Sequence, residues 1–550
     1  MKKIFKNYLL PSLVVLSLSS CYKTFEKLTA NPNIPNAVPA SQLMNGVLND
    51  LVDLPDGATS SSHQSSNVYA FASNKDEIWC QYYIYNYNYY GNNTYDFDAG
   101  ADYYTTLKDV IAMESAATAS GGAAVNPYEA MGKFFRAYFF SKMSLERGDI
   151  PMTQALQGVK NLTPVYDTQK AVMLQSLNWL ESANADMTQL IANPTVGGSG
   201  LGATLGGDFL LGNSLTEWQK IVNSFRLRLL IQLSKKVSDP DLNVASQFNS
   251  IVTNPAKYPL MASSADNLQY VFVAPSNYYP QNPDNFGQSG SRQNTSQTYI
   301  SLLTQFQDPR VFVTAEPARY LVDSLHQSPT SFSSFVGADP GLDLGLMYNN
   351  AGLQRYSFIN RKHYYSIYTG EPSIQIGFAE QEFNIAEAIN RGWTTGDAET
   401  YYQAGIQASM TSYGIPQTGT FSAYFYRPGS TTGVADAGNY DVYSITTNWN
   451  TYYNQPAVKY AGGTTGLTQI LQQKYLALFR HSGLESYFTY RRTGVPTFTT
   501  GPGTDNGQRI ALRFQYPLPE RTANAANYSA ALTSQYGGND DINGVMWILK

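Results

Sequence analysis

The chain has 550 residues, a net charge of −5, two cysteines, four histidines and no block of Lys or Arg. That balance excludes an electrostatic nucleic-acid binder and a polybasic membrane patch, and two cysteines exclude a disulfide framework, which a chain of this length does not need to bury a core. Aromatic residues make up 13% of the chain, with 42 Tyr, against 14% charged residues, a composition that suits sugar faces, peptides and protein interfaces.

The N-terminus reads as a processing segment. Lys2, Lys3 and Lys6 form a positive n-region, and Leu9 to Leu18 is an apolar stretch too short to span a bilayer. It ends in Leu18-Ser19-Ser20-Cys21. An apolar residue, two small residues and a Cys form a bacterial lipobox, so residues 1–20 are expected to be a lipoprotein signal peptide and Cys21 the lipidated residue. Residues 21–40, with Pro32, Pro35 and Pro39, read as an extended tether, and 41–550 as a single helical domain. The other cysteine, Cys80, lies in Ile78-Trp79-Cys80-Gln81 and reads as a buried small apolar residue.

Helical patterning then recurs in pairs. Asn126-Pro127-Tyr128-Glu129 combines an N-cap, a proline at the first helical position and an acidic third residue. Phe134, Tyr138, Ser141 and Leu145 follow on one face before Gly148. Asp167 is expected to open a second helix carrying Met173, Leu177, Leu180, Met187 and Leu190. Ser214 and Glu217 have the spacing of a capping box ahead of Trp218, Phe225, Leu229 and Leu233. Ile376, Ala379, Phe383, Ala386 and Ile389 make a further stripe, and Asp397 opens one with Tyr401, Ala404, Ala408 and Tyr413. Leu467, Leu471, Tyr475 and Leu478 run towards Gly483, and Leu484, Tyr487, Phe488 and Arg491 towards Gly494. Helices of this length joined by short Gly-containing turns predict tetratricopeptide-like hairpins, mainly α, packed into an irregular partial superhelix. The stretches 262–297, 327–372 and 415–465 are expected to be long irregular loops.

Several segments, in this order along the chain, resemble the SusD/RagB family of outer-membrane lipoproteins from Bacteroidota. They include Gly148-Asp149-Ile150-Pro151, Trp218 to Leu229, Asp308-Pro309-Arg310, Glu380 to Ala388 with Arg391-Gly392-Trp393, Gln473 to Phe479, and Tyr490 to Gly494. The resemblance implies four tetratricopeptide-like hairpins as scaffold. It also implies a lipid-anchored, surface-exposed protein that captures an oligosaccharide or oligopeptide and acts as the lid of a SusC-type TonB-dependent outer-membrane barrel. The rival expectation is a structural subunit that keeps the fold without binding nutrient. The chain departs from the phylum's usual surface-export signal, which places acidic residues just after the lipidated Cys, in having only Glu26 there.

The densest aromatic segment, Gln81 to Tyr95, supplies the leading ligand-binding candidates: Tyr87, Asn88, Tyr89, Tyr90, Asn92 and Tyr95. Tyrosine rings stack on a ligand and amides bond its polar groups. Tyr82 and Tyr85, in the same segment, are expected to lie on a helix and pack inward. Tyr278 and Tyr279 with Arg292 form a second candidate, and His363 to Tyr368 a third. Trp218 and Trp393 fit scaffold positions. Asp96-x-Asp98 with Asp102 does not follow the order of a calcium loop, and His481 with Glu485 lacks the partners of a zinc site. No nucleophile elbow or phosphate loop is present. No metal, cofactor or catalysis is expected.

Overall fold

A computed structural model of the chain describes residues 38–53, 75–87, 92–97, 102–198, 200–202, 204–284, 286, 293–430 and 432–550. The signal peptide, Cys21 and most of the tether lie outside these residues, as do Asn88, Tyr89, Tyr90, Asp98 and Arg292.

The scaffold begins with α1 (Ala40–Asp53), α2 (Tyr104–Ala119), α3 (Pro127–Arg147), α4 (Gln169–Ala192) and α5 (Leu215–Gln232). Side-chain pairs show successive helices running antiparallel. Glu114 of α2 meets Arg136 of α3, while Tyr103 just before α2 packs on Phe139. Lys133 of α3 meets Asp186 of α4, while Gln169 at the start of α4 reaches the Ser144 carbonyl. Arg226 of α5 pairs with Glu181 and Gln219 with Thr188. A second block consists of α6 (Val244–Thr253), α7 (Gln297–Gln305), α8 (Leu344–Gly352), α9 (Phe378–Asn390), α10 (Ala398–Ser412), α11 (Gly463–Ala477), α12 (Glu485–Thr493) and α13 (Ala525–Tyr536). The protein is mainly α, as the periodicity predicts.

Local chemistry explains the helix starts. The Asn126 side chain accepts from the Tyr128 and Glu129 amides, with Pro127 in the first turn. Ser214 accepts from the Glu217 amide, but the Glu217 carboxylate turns to Lys220, so half of the expected box forms. The helix expected to open at Asp167 is capped instead by Thr168. Asp167 is spent on the turn before it, where its carboxylate accepts from the Met152 and Thr153 amides.

The α9–α10 hairpin forms where expected, with two adjustments. Ile376 belongs to a strand, and the buried face of α10 is Tyr402, Gly405, Ile406, Ser409 and Met410 rather than Tyr401, Ala404 and Ala408. Both sets have helical spacing, but the observed one buries the larger apolar side chains. Nearly the whole circumference of α9 is buried, Glu380 and Glu387 included. Arg228 of α5 grips Glu380 through two bonds of 2.7 and 2.5 Å, and Arg492 of α12 pairs with Glu387. Buried charges persist when paired and hydrogen-bonded in this way.

The expected long loops contain regular structure. β1 (Tyr83–Tyr85) pairs antiparallel with β3 (Gln293–Thr295), and β2 (Leu268–Tyr270) with β4 (Ser373–Ile376). β5 (Thr418–Tyr426) and β6 (Tyr440–Asn448) form a hairpin of nine-residue strands inside 415–465. Tyr82 and Tyr85 are buried as expected, but on and beside a strand rather than on a helix. The reason is tertiary: β1 is three residues long, and its ladder partner lies more than two hundred residues away. Trp218 is fully buried, with its indole donating to Asp208 Oδ2 at 2.9 Å, and Trp393 packs on Phe248 of α6. Cys80 is buried, its thiol donating to the Gly483 carbonyl at 3.8 Å.

Candidate functional site

The segment 81–95 is built from the inside out. Gln81 is fully buried; its side-chain amide donates to the Thr499 carbonyl at 2.7 Å and its side-chain carbonyl accepts from Thr298 Oγ1 and the Thr499 amide. Tyr82 donates to the Tyr475 carbonyl at 2.7 Å and stacks on the Tyr475 ring. Asn93 then acts as a surrogate strand: its side chain accepts from the Tyr85 amide at 2.7 Å and donates to the Tyr85 carbonyl at 3.0 Å. This clamp brings Tyr87 and Asn92 out of the core at one place.

Tyr87 is half-buried and pairs its ring with Tyr348 of α8, centroids 5.5 Å apart, and Tyr348 is 49% exposed. Asn92 accepts from the Thr94 amide. Tyr95 has a different place. Its ring is buried, its hydroxyl donates to the Trp79 carbonyl at 2.9 Å and accepts from Gln81. The expected cluster therefore divides, with Tyr87 at the surface and Tyr95 in the packing beneath.

Tyr278 and Tyr279 divide in the same way. The Tyr278 ring is exposed and lies 4.7 Å from that of Tyr368, whose hydroxyl donates to Asp284. Tyr279 is fully buried, with its backbone amide donating to the Tyr368 carbonyl at 2.7 Å. Its ring needs a glycine opposite: a Cβ on Gly370, which sits at φ +50°, would lie 2.1 Å from it.

Arg480 joins the three candidate segments. It is fully buried and sits just past α11 in the left-handed region, φ +66°, which aims its side chain inward. One guanidinium nitrogen donates to the Tyr83 hydroxyl at 2.7 Å and another to the Tyr279 hydroxyl at 2.8 Å. The guanidinium also lies 4.5 Å from the centroid of the Tyr364 ring. Glu371, 3.4 Å from Nε, supplies the countercharge and also meets His363 at 3.1 Å. His363, His481 and Arg480 hold the Glu371 carboxyl below its ordinary range against the opposing effect of burial. Burial pushes the Tyr83 and Tyr364 phenols well up, so both stay neutral donors and acceptors.

A sequence model of the SusD-like family, described as starch-binding and associating with the outer membrane, matches residues 32–517. The chain belongs to the SusD-like family. A SusD homolog from Bacteroides fragilis is 31% identical, with a TM-score of 0.75 over 93% of this chain and 100% of that one. A second B. fragilis SusD homolog is 28% identical, with a TM-score of 0.73 over 93% and 99% of the two chains. A chitin-binding SusD homolog from Flavobacterium johnsoniae shares the fold at 20% identity and a TM-score of 0.66, over 92% and 98%. No curated protein sequence matched.

In this SusD-like chain the partly open aromatic pairs Tyr87–Tyr348 and Tyr278–Tyr368 draw three of their four rings from segments whose buried Tyr83, Tyr279 and Tyr364 meet at Arg480. Arg480, Asn93 and Tyr348 escaped the reading of the sequence. Arg480 follows the apolar end of α11 and precedes a turn, a position where an arginine ordinarily faces solvent. Nothing local to it announces partners roughly 200 and 400 residues away in sequence. Among the described residues, no helix is long and apolar enough to cross a membrane, and no group of three or more His, Cys, Asp or Glu is placed to hold a metal ion.

Proposed function

We propose that the protein is a lipoprotein anchored through Cys21 at the cell surface, where it captures a nutrient and closes as a lid over a SusC-type TonB-dependent barrel. Its contribution is binding and gating, without covalent chemistry. Family membership over residues 32–517 is the observation that carries this reading. The aromatic pairs support it. Tyr87 with Tyr348 and Tyr278 with Tyr368 offer flat faces on stems immobilised by buried hydrogen bonds, which lowers the ordering cost of stacking a ligand. Asn88, Tyr89, Tyr90, Asn92 and Arg292 flank those stems in sequence and complete the proposed ligand set. The starch-binding description of the family and a chitin-binding relative favour an oligosaccharide over an oligopeptide.

The deciding experiment isolates the native lipoprotein from detergent-solubilised outer membranes and identifies its companions by mass spectrometry. A TonB-dependent barrel with bound oligosaccharide is the expected result, and Tyr87→Ala with Tyr348→Ala should keep the barrel and lower the amount of sugar retained. A barrel without ligand, whatever growth substrate is supplied, would replace capture by the structural-subunit reading.

A further inference from the structure

A cavity of about 560 Å³ opens between the base of the β5–β6 hairpin and the C-terminal end of α7. It shares no lining residue with the aromatic pairs described above. We propose that it is a second ligand site, built for a neutral saccharide.

Its size lies within the ~300–1,000 Å³ of small-molecule sites. The floor is rigid. Tyr452 donates to Asp308 Oδ2 at 2.5 Å and accepts from Gln473, while Asp308 is held by two bonds from Arg310. One wall is aromatic: Phe332 packs on the buried Phe312 at 5.0 Å. Trp449 stacks one face on Tyr453, centroids 5.3 Å apart and 18° from parallel, and lines the cavity while only half-buried. An indole stacked on a neighbouring ring and lining a cavity is a platform for the C–H face of a sugar ring.

The polar lining is as specific as the apolar. Gln307, Gln417 and Trp449 all line the cavity, and no side-chain polar atom of the three bonds to another described residue. Gln307 follows the end of α7 at φ +47°, a left-handed position where glycine or asparagine is usual. A glutamine held there is strained, and it brings a side chain that can both donate and accept to the cavity lining. Paired donor and acceptor atoms match vicinal hydroxyls. No lining side chain is charged, so an ionic ligand would enter without a countercharge and lose its hydration. Aromatic platform, amide lining and neutrality together select an uncharged polyhydroxylated ligand.

The test is calorimetric titration of the detergent-solubilised full-length lipoprotein carrying Tyr87→Ala and Tyr348→Ala, which separates this site from the one proposed above. The probes are maltotriose, cellotriose, N,N′-diacetylchitobiose, trigalacturonate and triglycine. At least one neutral sugar is expected to bind on that background. Adding Trp449→Ala should raise its Kd at least tenfold, and adding Gln417→Ala, which leaves the backbone bond of that residue intact, about fivefold. Absence of neutral-sugar binding on that background overturns the inference, as does a Kd unmoved by both substitutions. Equal or tighter binding of trigalacturonate or triglycine also overturns it. Sugar binding by the unsubstituted chain that vanishes with Tyr87→Ala and Tyr348→Ala leaves the first site standing and removes this one.

Discussion

Arg480 brings a permanent charge to a place where no part of its side chain reaches water, and there it holds two phenols from distant segments. Removing one partner of such a buried arrangement typically costs about 3–5 kcal/mol. Arg480→Ala should lower stability by that order in chemical denaturation. Hydrogen exchange should show the extra opening concentrated in 83–87 and 271–284 rather than in α3 and α4. Arg480→Lys keeps the charge but cannot span both hydroxyls, and should recover only part of the loss. Glu77 beneath the same site has the opposite character. It is 5% exposed, one carboxylate oxygen has no hydrogen-bond partner, and burial pushes its pKa up to about 8, with Arg480 opposing. The unfolded value is about 4.3. A raised carboxylate pKa contributes stability in full below the unfolded pKa and loses it as pH rises through the folded one. Glu77→Gln should therefore raise the melting temperature relative to the parent at pH 9 and bring no such gain at pH 4. At this scale, composition and spacing correctly assigned Trp218 and Cys80 to the interior. They could not sort Tyr87 from Tyr95 or Tyr278 from Tyr279, because adjacent tyrosines look alike until a partner is in place.

The elements were legible where an N-cap and an apolar stripe coincide, as at Asn126 and Ser214, because both signals act within a few residues. α10 shows the limit of that reading. Two stripes of correct period overlap on it, and the choice between them falls to the helix it packs against. Gly405 faces Phe383 of α9 so closely that a Cβ would lie 2.8 Å from the ring. Gly405→Leu should force the two helices apart and cost about 1–3 kcal/mol or more by overpacking, whereas Ala404→Leu, one position round on a half-buried face, should cost less. Paired thermal melts of the two variants check this. The strands were missed for a related reason. β1 and β3 have three residues each, too few for an alternation to register, and β5 and β6 sit in a stretch whose Gly, Ser, Asn and Pro read as loop and mask the Tyr-, Phe- and Thr-bearing strands within it.

For the whole molecule, attachment and architecture separate cleanly. Cys21 precedes the described helices by about twenty residues, so its replacement should leave the fold alone. On the proposed anchoring through Cys21, Cys21→Ala should move the protein from the membrane fraction to the soluble one, with a circular dichroism spectrum and melting temperature matching those of the parent protein in detergent. A Cys21→Ala protein that stays with the membrane after alkaline washing would rule out lipid as its attachment. The order of motifs from Gly148 to Gly494 was enough to suggest the family, since each motif is a short-range pattern legible in a single sequence. The helical class followed from periodicity for the same reason: a turn of helix is decided by neighbours three and four residues apart. Only the tertiary structure decided which aromatic side chains stand open and which are packed. It joined segments near 83, 279, 364 and 480 through one buried guanidinium, and it formed the open cavity beside Trp449 between α7 and the hairpin. Those arrangements depend on contacts hundreds of residues apart, and burial and pairing over such separations leave no periodic trace in a single sequence.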